Sequence, residues 1–195
     1  MGGGLDPFSA LFDAQAQGIG LQEWLQQEIA RKAQKSLQNH IGTFHENIIS
    51  SIPSWAKHSG VVDLISHNQK RIAEVKNKYN TTKGNHKRDI YDDLAGQIAV
   101  YYPVYTAYYV EVLPPPHKRY NELFTPPDNR NKTNRPPNPQ IRRIDGYSFY
   151  ALITGEQHAL RHLYETLPRV MADIQGRGEL VGDEFLGKLF GQVYG

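Results

Sequence analysis

Three residues in the stretch VVDLISHNQKRIAEVK are of types and spacing that can do chemistry: Asp63, then ten residues, then Glu74, with Lys76 two positions on. This Glu-x-Lys is the only acid-x-Lys triplet in the chain. Two carboxylates brought close together suit a hard cation such as Mg²⁺, which keeps several waters and accepts only a few protein oxygens. A lysine beside them can hold and activate one of those waters. A Lewis acid, an activated water and charge stabilisation are the equipment for hydrolysing a phosphodiester. The competing reading is a surface hairpin with an i,i+2 ion pair, since an acid-x-Lys preceded by an Asp at loose spacing arises by chance about once in a chain this long.

The elements that must position these groups are two short apolar runs, VVDLI and RIAEV, separated by the polar turn SHNQK. They predict a hairpin. Successive side chains on a strand alternate, so Ile72, Glu74, Lys76 and Lys78 share one face while Ala73 and Val75 point the other way, toward a core. Asp63 approaches Glu74 from the paired strand.

Around this hairpin the charge is uneven. From His67 to Arg88 there are seven Lys/Arg against the single acid Glu74, and from His117 to Arg143 seven against Glu122 and Asp128, in a chain whose net charge is only +2. Two basic regions in a nearly neutral protein point to a polyanion held at a defined surface; solvated loops are the plainer alternative. There is no cysteine, which excludes disulfides and Cys-based metal sites or nucleophiles and fits a reducing cytoplasm. No apolar run approaches 18 residues and the start lacks a signal-peptide pattern, so no membrane partner and a cytoplasmic location are expected.

Taken in order, 1 to about 18 is Gly- and Ala-rich and is expected to be poorly ordered or loosely packed. Leu21, Leu25, Ile29, Ala33, Leu37 and Ile41 recur every four residues and predict a helix. Gly42 is a candidate break, before a second helical segment carrying Phe44, Ile48, Ile49 and Ile52 that Pro53 ends. Glu46 in that segment is either an ordinary exposed position or a further carboxylate for the metal. After the hairpin and a basic turn, a helix is predicted from about Arg88 to Ala99, with Asp89, Asp92 and Asp93 explained by the dipole of its first turn. VYTAYYVEVL, from Val104 to Leu113, reads as a strand. Pro114 to Pro139 contains eight of the twelve prolines and predicts a long, irregular insertion running on to about residue 143. YSFYALI reads as the last strand, Thr154 and Gln157 as the capping pair of the next helix. Pro168 kinks or divides that helix, and a Gly-rich turn leads to a last helix with Phe185, Leu186, Leu189, Phe190 and Val193. The result is one domain spanning 1–195, an α/β (α+β) mixed sheet with helices on its faces.

The order of elements, with Asp63 on one strand and Glu74-x-Lys76 on the next, resembles the PD-(D/E)xK nuclease superfamily. The run AEVKNKYNTTKGNHKRDIYDDL, Ala73 to Leu94, resembles more specifically the type II restriction endonucleases that cut GGNCC. Val62 stands where the motif's proline would be, a position with no catalytic function. The resemblance implies a restriction-endonuclease-like core in which Asp63, Glu74 and the Val75 carbonyl bind Mg²⁺. Lys76 orients the attacking water, and Glu46 matches an accessory helix carboxylate. It further implies cleavage of double-stranded DNA to 5′-phosphate and 3′-hydroxyl ends, by a homodimer whose two-fold axis mirrors that of a palindromic site. Arg reads guanine and Asn adenine in the major groove. The expected DNA-contacting residues are Lys78, Lys83, Asn85, His86 and Lys87 after the catalytic strand, and Arg130, Lys132, Arg135, Arg142 and Arg143 in the long loop. His86 has the alternatives of touching a phosphate or capping the helix. Two other functions fit the same fold: a structure-selective repair or junction-resolving nuclease, and a DNA-binding module that does no chemistry.

Overall fold

A computed structural model describes residues 6–176 and 183–195. The Gly-rich turn expected before the last helix lies largely outside these residues. The chain groups into two compact units, 1–43 and 44–195, and every expected site residue falls in the second.

In the first unit, helix α1 (Pro7–Gln17) replaces the expected poor order, while the loose packing stands, since only Ala14 of the helix is buried. Asp6 caps it, its Oδ1 accepting from the Phe8 N–H at 3.0 Å, and Pro7 starts it with a pre-set φ. Gly18 ends it in the left-handed region at φ 65°. Helix α2 (Leu21–Ser51) follows without interruption at Gly42. One glycine costs a long helix only about 1 kcal/mol, too little to break it.

The second unit is a sheet covered on both faces. Its strands are β1 (Ala56–Lys57), β2 (Leu64–Ser66), β3 (Arg71–Lys78), β4 (Thr106–Leu113), β5 (Asn121–Leu123) and β8 (Ile141–Asp145), in the order β1-β2-β3-β4-β8-β5. β3, β4 and β8 are parallel and the flanking pairings antiparallel. A separate two-stranded ribbon joins β6 (Pro127–Asp128) to β7 (Thr133–Asn134). Helix α3 (Gly84–Val100) covers one face, where Ile65, Ile72, Tyr91, Leu94, Tyr109 and Ile141 form a core. On the other face Ile49 of α2 packs with residues of α4 (Gly146–Thr154), α5 (Ala159–Gln175) and α6 (Asp183–Tyr194) over Ala73, Val75, Tyr108 and Val110. The mixed α/β architecture expected from the sequence is the observed one. Among the described residues no helix is long and apolar enough to cross a membrane.

Several predicted elements differ. YSFYALI is not a strand but the body of α4: Phe149, Tyr150 and Ile153 are buried with Gly146 at helical spacing, and the Asp145 side chain caps the helix through the Ser148 N–H at 3.0 Å. Gly146 is required there, since a Cβ would lie 2.5 Å from the Val112 carbonyl oxygen. The strand beside β4 is instead IRRID, so Arg142 and Arg143 belong to the sheet and not to the loop. The rest of the Pro-rich segment is ordered by β5, β6 and β7. α3 begins at Gly84, so no acid lies in its first turn, and the dipole account of Asp89, Asp92 and Asp93 fails. Thr154 ends α4, donating to the Tyr150 carbonyl and accepting from the Glu156 N–H, and caps nothing downstream. α5 runs through Pro168 unbroken.

Candidate active site

The hairpin forms as its alternation requires. β2 pairs with β3 so that Leu64 faces Ala73, and the Asp63 N–H donates to the Ala73 carbonyl at 3.1 Å. One residue further, Asp63 stands opposite Glu74. Its Oδ2 accepts from the Val75 N–H at 2.7 Å, which fixes the carboxylate against the strand. Lys76 Nζ donates to Glu74 Oε1 at 2.6 Å. Asp63, Glu74 and Lys76 therefore meet near the carboxyl end of the parallel strand β3, where open α/β sheets place ligands.

Two of these groups, Glu74 and Lys76, border with α3 a cavity of about 480 Å³. Glu74 and Lys76 form one wall, Thr81 and Thr82 the rim, and His86, Asp89 and Asp93 of α3 the other wall. Burial pushes the Glu74 carboxyl up to about 7, and the Asp63 charge adds to this against the opposing Lys76. Burial would lower the Lys76 pKa, but Glu74, Asp63 and Glu46 outweigh it and raise it. Lys76 is therefore an ammonium at neutral pH, and it can orient a water but not take its proton. Glu46 is half-buried in the last turns of α2; its carboxyl is raised by burial and then by the Asp63 charge. The site thus holds more negative charge than its lysine compensates.

That imbalance is the fit test for a metal. Two hard oxygen ligands next to each other, one pushed up by burial and then by its neighbour's charge, match a cation that accepts few carboxylates and keeps its waters. Among the described residues no three His, Asp or Glu side chains are grouped to hold a metal. Glu46 is accordingly within electrostatic reach of Asp63 and Lys76 without completing a three-carboxylate cage.

The expected DNA-contacting residues divide into two sets. Lys87 and Arg143 converge on Glu111 of β4: Lys87 Nζ lies 2.6 Å from Oε1, and Arg143 binds Oε2 through two nitrogens at 2.8 and 2.7 Å. Arg142 donates to Asn121, and Arg135 pairs with Asp92 and, at 3.4 Å, with Asp128. In contrast, Lys78, Lys83, Arg130 and Lys132 are exposed, and among the described residues no side chain hydrogen-bonds or pairs with theirs. Arg130 and Lys132 sit in the turn of the β6–β7 ribbon. Asp128 holds that turn, accepting from the Arg130 N–H at 3.0 Å and from Asn131 Nδ2 at 2.9 Å. Asn129 fastens the turn to Asn85 on α3. His86 is exposed and faces the cavity.

Sequence reading missed Glu111, Asp89, Asp93 and Asp128. Asp89 and Asp93 read from sequence as complements of the helix dipole, whereas their spacing of four, which brings two side chains onto one face, is the signal for the cavity wall. Glu111 sits in an aromatic strand and carried one signal, a lone acid among residues too apolar to solvate it.

The Eco47II restriction endonuclease family model matches residues 3–175. The chain is 40% identical to the type II restriction enzyme Eco47II of Escherichia coli, over 98% of this chain and 84% of that protein. It is 30% identical to the type II restriction enzyme Sau96I of Staphylococcus aureus, over 87% of this chain and 66% of that one. No solved structure matches.

Proposed function

The chain belongs to the Eco47II restriction endonuclease family, and on that premise we propose that Asp63, Glu74 and Lys76 are its cleavage site, working with Mg²⁺. It is a type II restriction enzyme, a site-specific deoxyribonuclease acting on double-stranded DNA. The divalent metal that such enzymes use would be held by the Asp63 and Glu74 carboxylates and the Val75 carbonyl, with Glu46 as an accessory carboxylate. The observation that carries this reading is the excess charge of Asp63 and Glu74, opposed among the described residues by Lys76, whose Nζ lies 2.6 Å from Glu74 Oε1.

Mg²⁺ supplies Lewis-acid polarisation of the scissile phosphate and a more acidic water. Lys76, kept protonated by its carboxylate neighbours, donates to the attacking water and to the phosphoryl oxygens on which negative charge builds. The water oxygen forms the new P–O bond as its proton passes to solvent, the bond to the 3′ oxygen breaks, and that oxygen takes a proton from a solvent water. The ends are a 5′-phosphate and a 3′-hydroxyl. The chain 1–195 is one nuclease domain whose site residues all lie in the unit 44–195, and a homodimer sets one such site against each strand of a palindrome, of which GGNCC is the leading candidate. Arg130, Lys132, Lys83, Asn85, His86 and Lys78 face DNA, and Lys87, Arg135, Arg142 and Arg143 shape the surface beside them.

Digestion of a sequenced, unmethylated plasmid with Mg²⁺, followed by end mapping, tests this. Discrete ends at GGNCC are expected from the wild type and none from Lys76→Ala. A plasmid left intact by wild-type protein overturns the reading. Preferential cutting of branched DNA would favour a structure-selective nuclease instead.

A further inference from the structure

The unit 1–43 has almost no interior. Of its described residues only Ala14, Trp24 and Glu28 are buried, while Phe8, Phe12, Leu21, Ile29 and Leu37 are each more than half exposed. A unit this small does not build a sufficient core of its own and needs a staple or a partner. Disulfides are excluded, because the chain has no cysteine.

The exposed apolar groups of α2 are ordered. Leu21, Leu25, Ile29, Ala33, Leu37 and Ile41 repeat every four residues, a spacing that forms one continuous ridge inclined to the helix axis. Such a ridge winds about 40° around the helix at each step, so a straight helix follows it only by crossing obliquely. Two i±4 ridges interdigitate at about −50°, and a small residue near the crossing, here Ala33, allows close approach. The ridge is thus complementary to a copy of itself, which is the condition for a two-fold interface.

Charge decides among occupants. Residues 1–43 hold three Lys/Arg (Arg31, Lys32, Lys35) against four acids (Asp6, Asp13, Glu23, Glu28). Nucleic acid and anionic lipid surfaces both call for a basic face, and this unit is near neutral. With α1's phenylalanines, the exposed apolar side chains supply area on the order of the ~800 Å² that one partner contributes to a standard interface.

We propose that the α1–α2 unit is the dimerisation arm, and that the Leu25–Ile29–Ala33–Leu37 ridge of α2 crosses the same ridge of a second copy near Ile29 and Ala33. The inference rests on the homodimer reading above and names its surface.

Absence of native cysteine gives a clean test. Ile29→Cys places a thiol on the ridge and Gln27→Cys one on the opposite side of the exposed helix; both are treated with a short bis-maleimide at micromolar protein. Covalent dimer from Ile29→Cys and little from Gln27→Cys is the expected result. The double variant Leu25→Glu/Ile29→Glu should sediment as a monomer with unchanged helical circular dichroism, since both positions are exposed in the single chain. A wild-type dimer that the double variant leaves intact, or equal cross-linking at 27 and 29, overturns the surface while the homodimer stands. A wild type that sediments as a monomer with and without GGNCC duplex overturns both, and plasmid cleavage then judges the nuclease reading by itself.

Discussion

Glu74 and Glu111 stand on neighbouring parallel strands and on the same face of the sheet, Glu111 paired in register with Lys76, yet their environments are opposite. Glu111 is fully buried, and Lys87, Tyr120 and Arg143 all donate to it. Burial by itself would raise its carboxyl, but these three donors outweigh burial and hold it below the usual carboxylate range. Glu74 is half-buried with one cation and a second carboxylate beside it, and it is pushed up to about 7. A buried carboxylate whose lone pairs and charge are all answered is part of the framework. One left short of positive charge costs stability and persists where a ligand will supply the missing charge.

The largest effect should separate the two residues by function. Glu74→Gln or Lys76→Ala should reduce the plasmid cleavage rate by about 10³-fold without lowering the thermal midpoint. Glu111→Ala, by contrast, strands two cations in a sheet interior and should lower stability by about 3–5 kcal/mol, read from urea unfolding. A Glu111→Ala protein as stable as wild type would mean that the network is not structural, and the contrast between the two glutamates would collapse.

The second test is the sign of the pH dependence. A folded-state pKa raised to about 7 means that between the ordinary value of 4.5 and about 7 the folded protein binds more proton at Glu74 than the unfolded chain does. Stability from this group is therefore present at low pH and falls as pH rises through that window. Glu111 runs the other way: its contribution is present above its ordinary pKa and is lost as pH falls below it. Glu74→Gln should be more stable than wild type at pH 8, by a few kcal/mol, and close to it at pH 5. Mg²⁺ at pH 8 should raise the wild-type midpoint and leave that of Glu74→Gln unmoved, by mass action on the folded state. Equal pH slopes for the two proteins would remove Glu74 as the strained group.

The same comparison explains what could be read from the sequence. The hairpin was legible because its signals are local: alternation, a polar turn, and side chains two apart sharing a face. The β8 strand was not, because Arg142-Arg143 beside prolines reads as a solvated loop. Arg143 is admitted to the sheet by a glutamate 32 positions away, and no local pattern records that. The aromatic, β-branched look of YSFYALI was overridden by the Asp145 cap and by Gly146 lying against Val112. The early start of α3 left no trace either, since Lys83 precedes it with no side-chain cap, and with that start went the explanation of Asp89 and Asp93. Short-range geometry placed the groups proposed for catalysis, whereas long-range charge pairing placed the framework around them.

The smallest effect concerns recognition, where the distinction between answered and unanswered charge recurs among the arginines. Arg143 is spent on Glu111, Arg142 on Asn121, and Arg135 on Asp92 and Asp128. Arg130 is exposed at the turn of a ribbon that Asp128 and Asn129 hold in place. An arginine with a fixed backbone and a free guanidinium is equipped to bind guanine O6 and N7 together, worth about 1–3 kcal/mol of discrimination against the wrong base. Arg130→Ala should therefore narrow the ratio of cleavage at GGNCC to cleavage at sites with one substituted G·C pair by about 10- to 100-fold, with Tm unchanged. Arg142→Ala should lower stability slightly and leave that ratio alone. If instead Arg130→Ala slows all sites equally and flattens the salt dependence of binding, its guanidinium contacts phosphate, and base reading belongs to other residues.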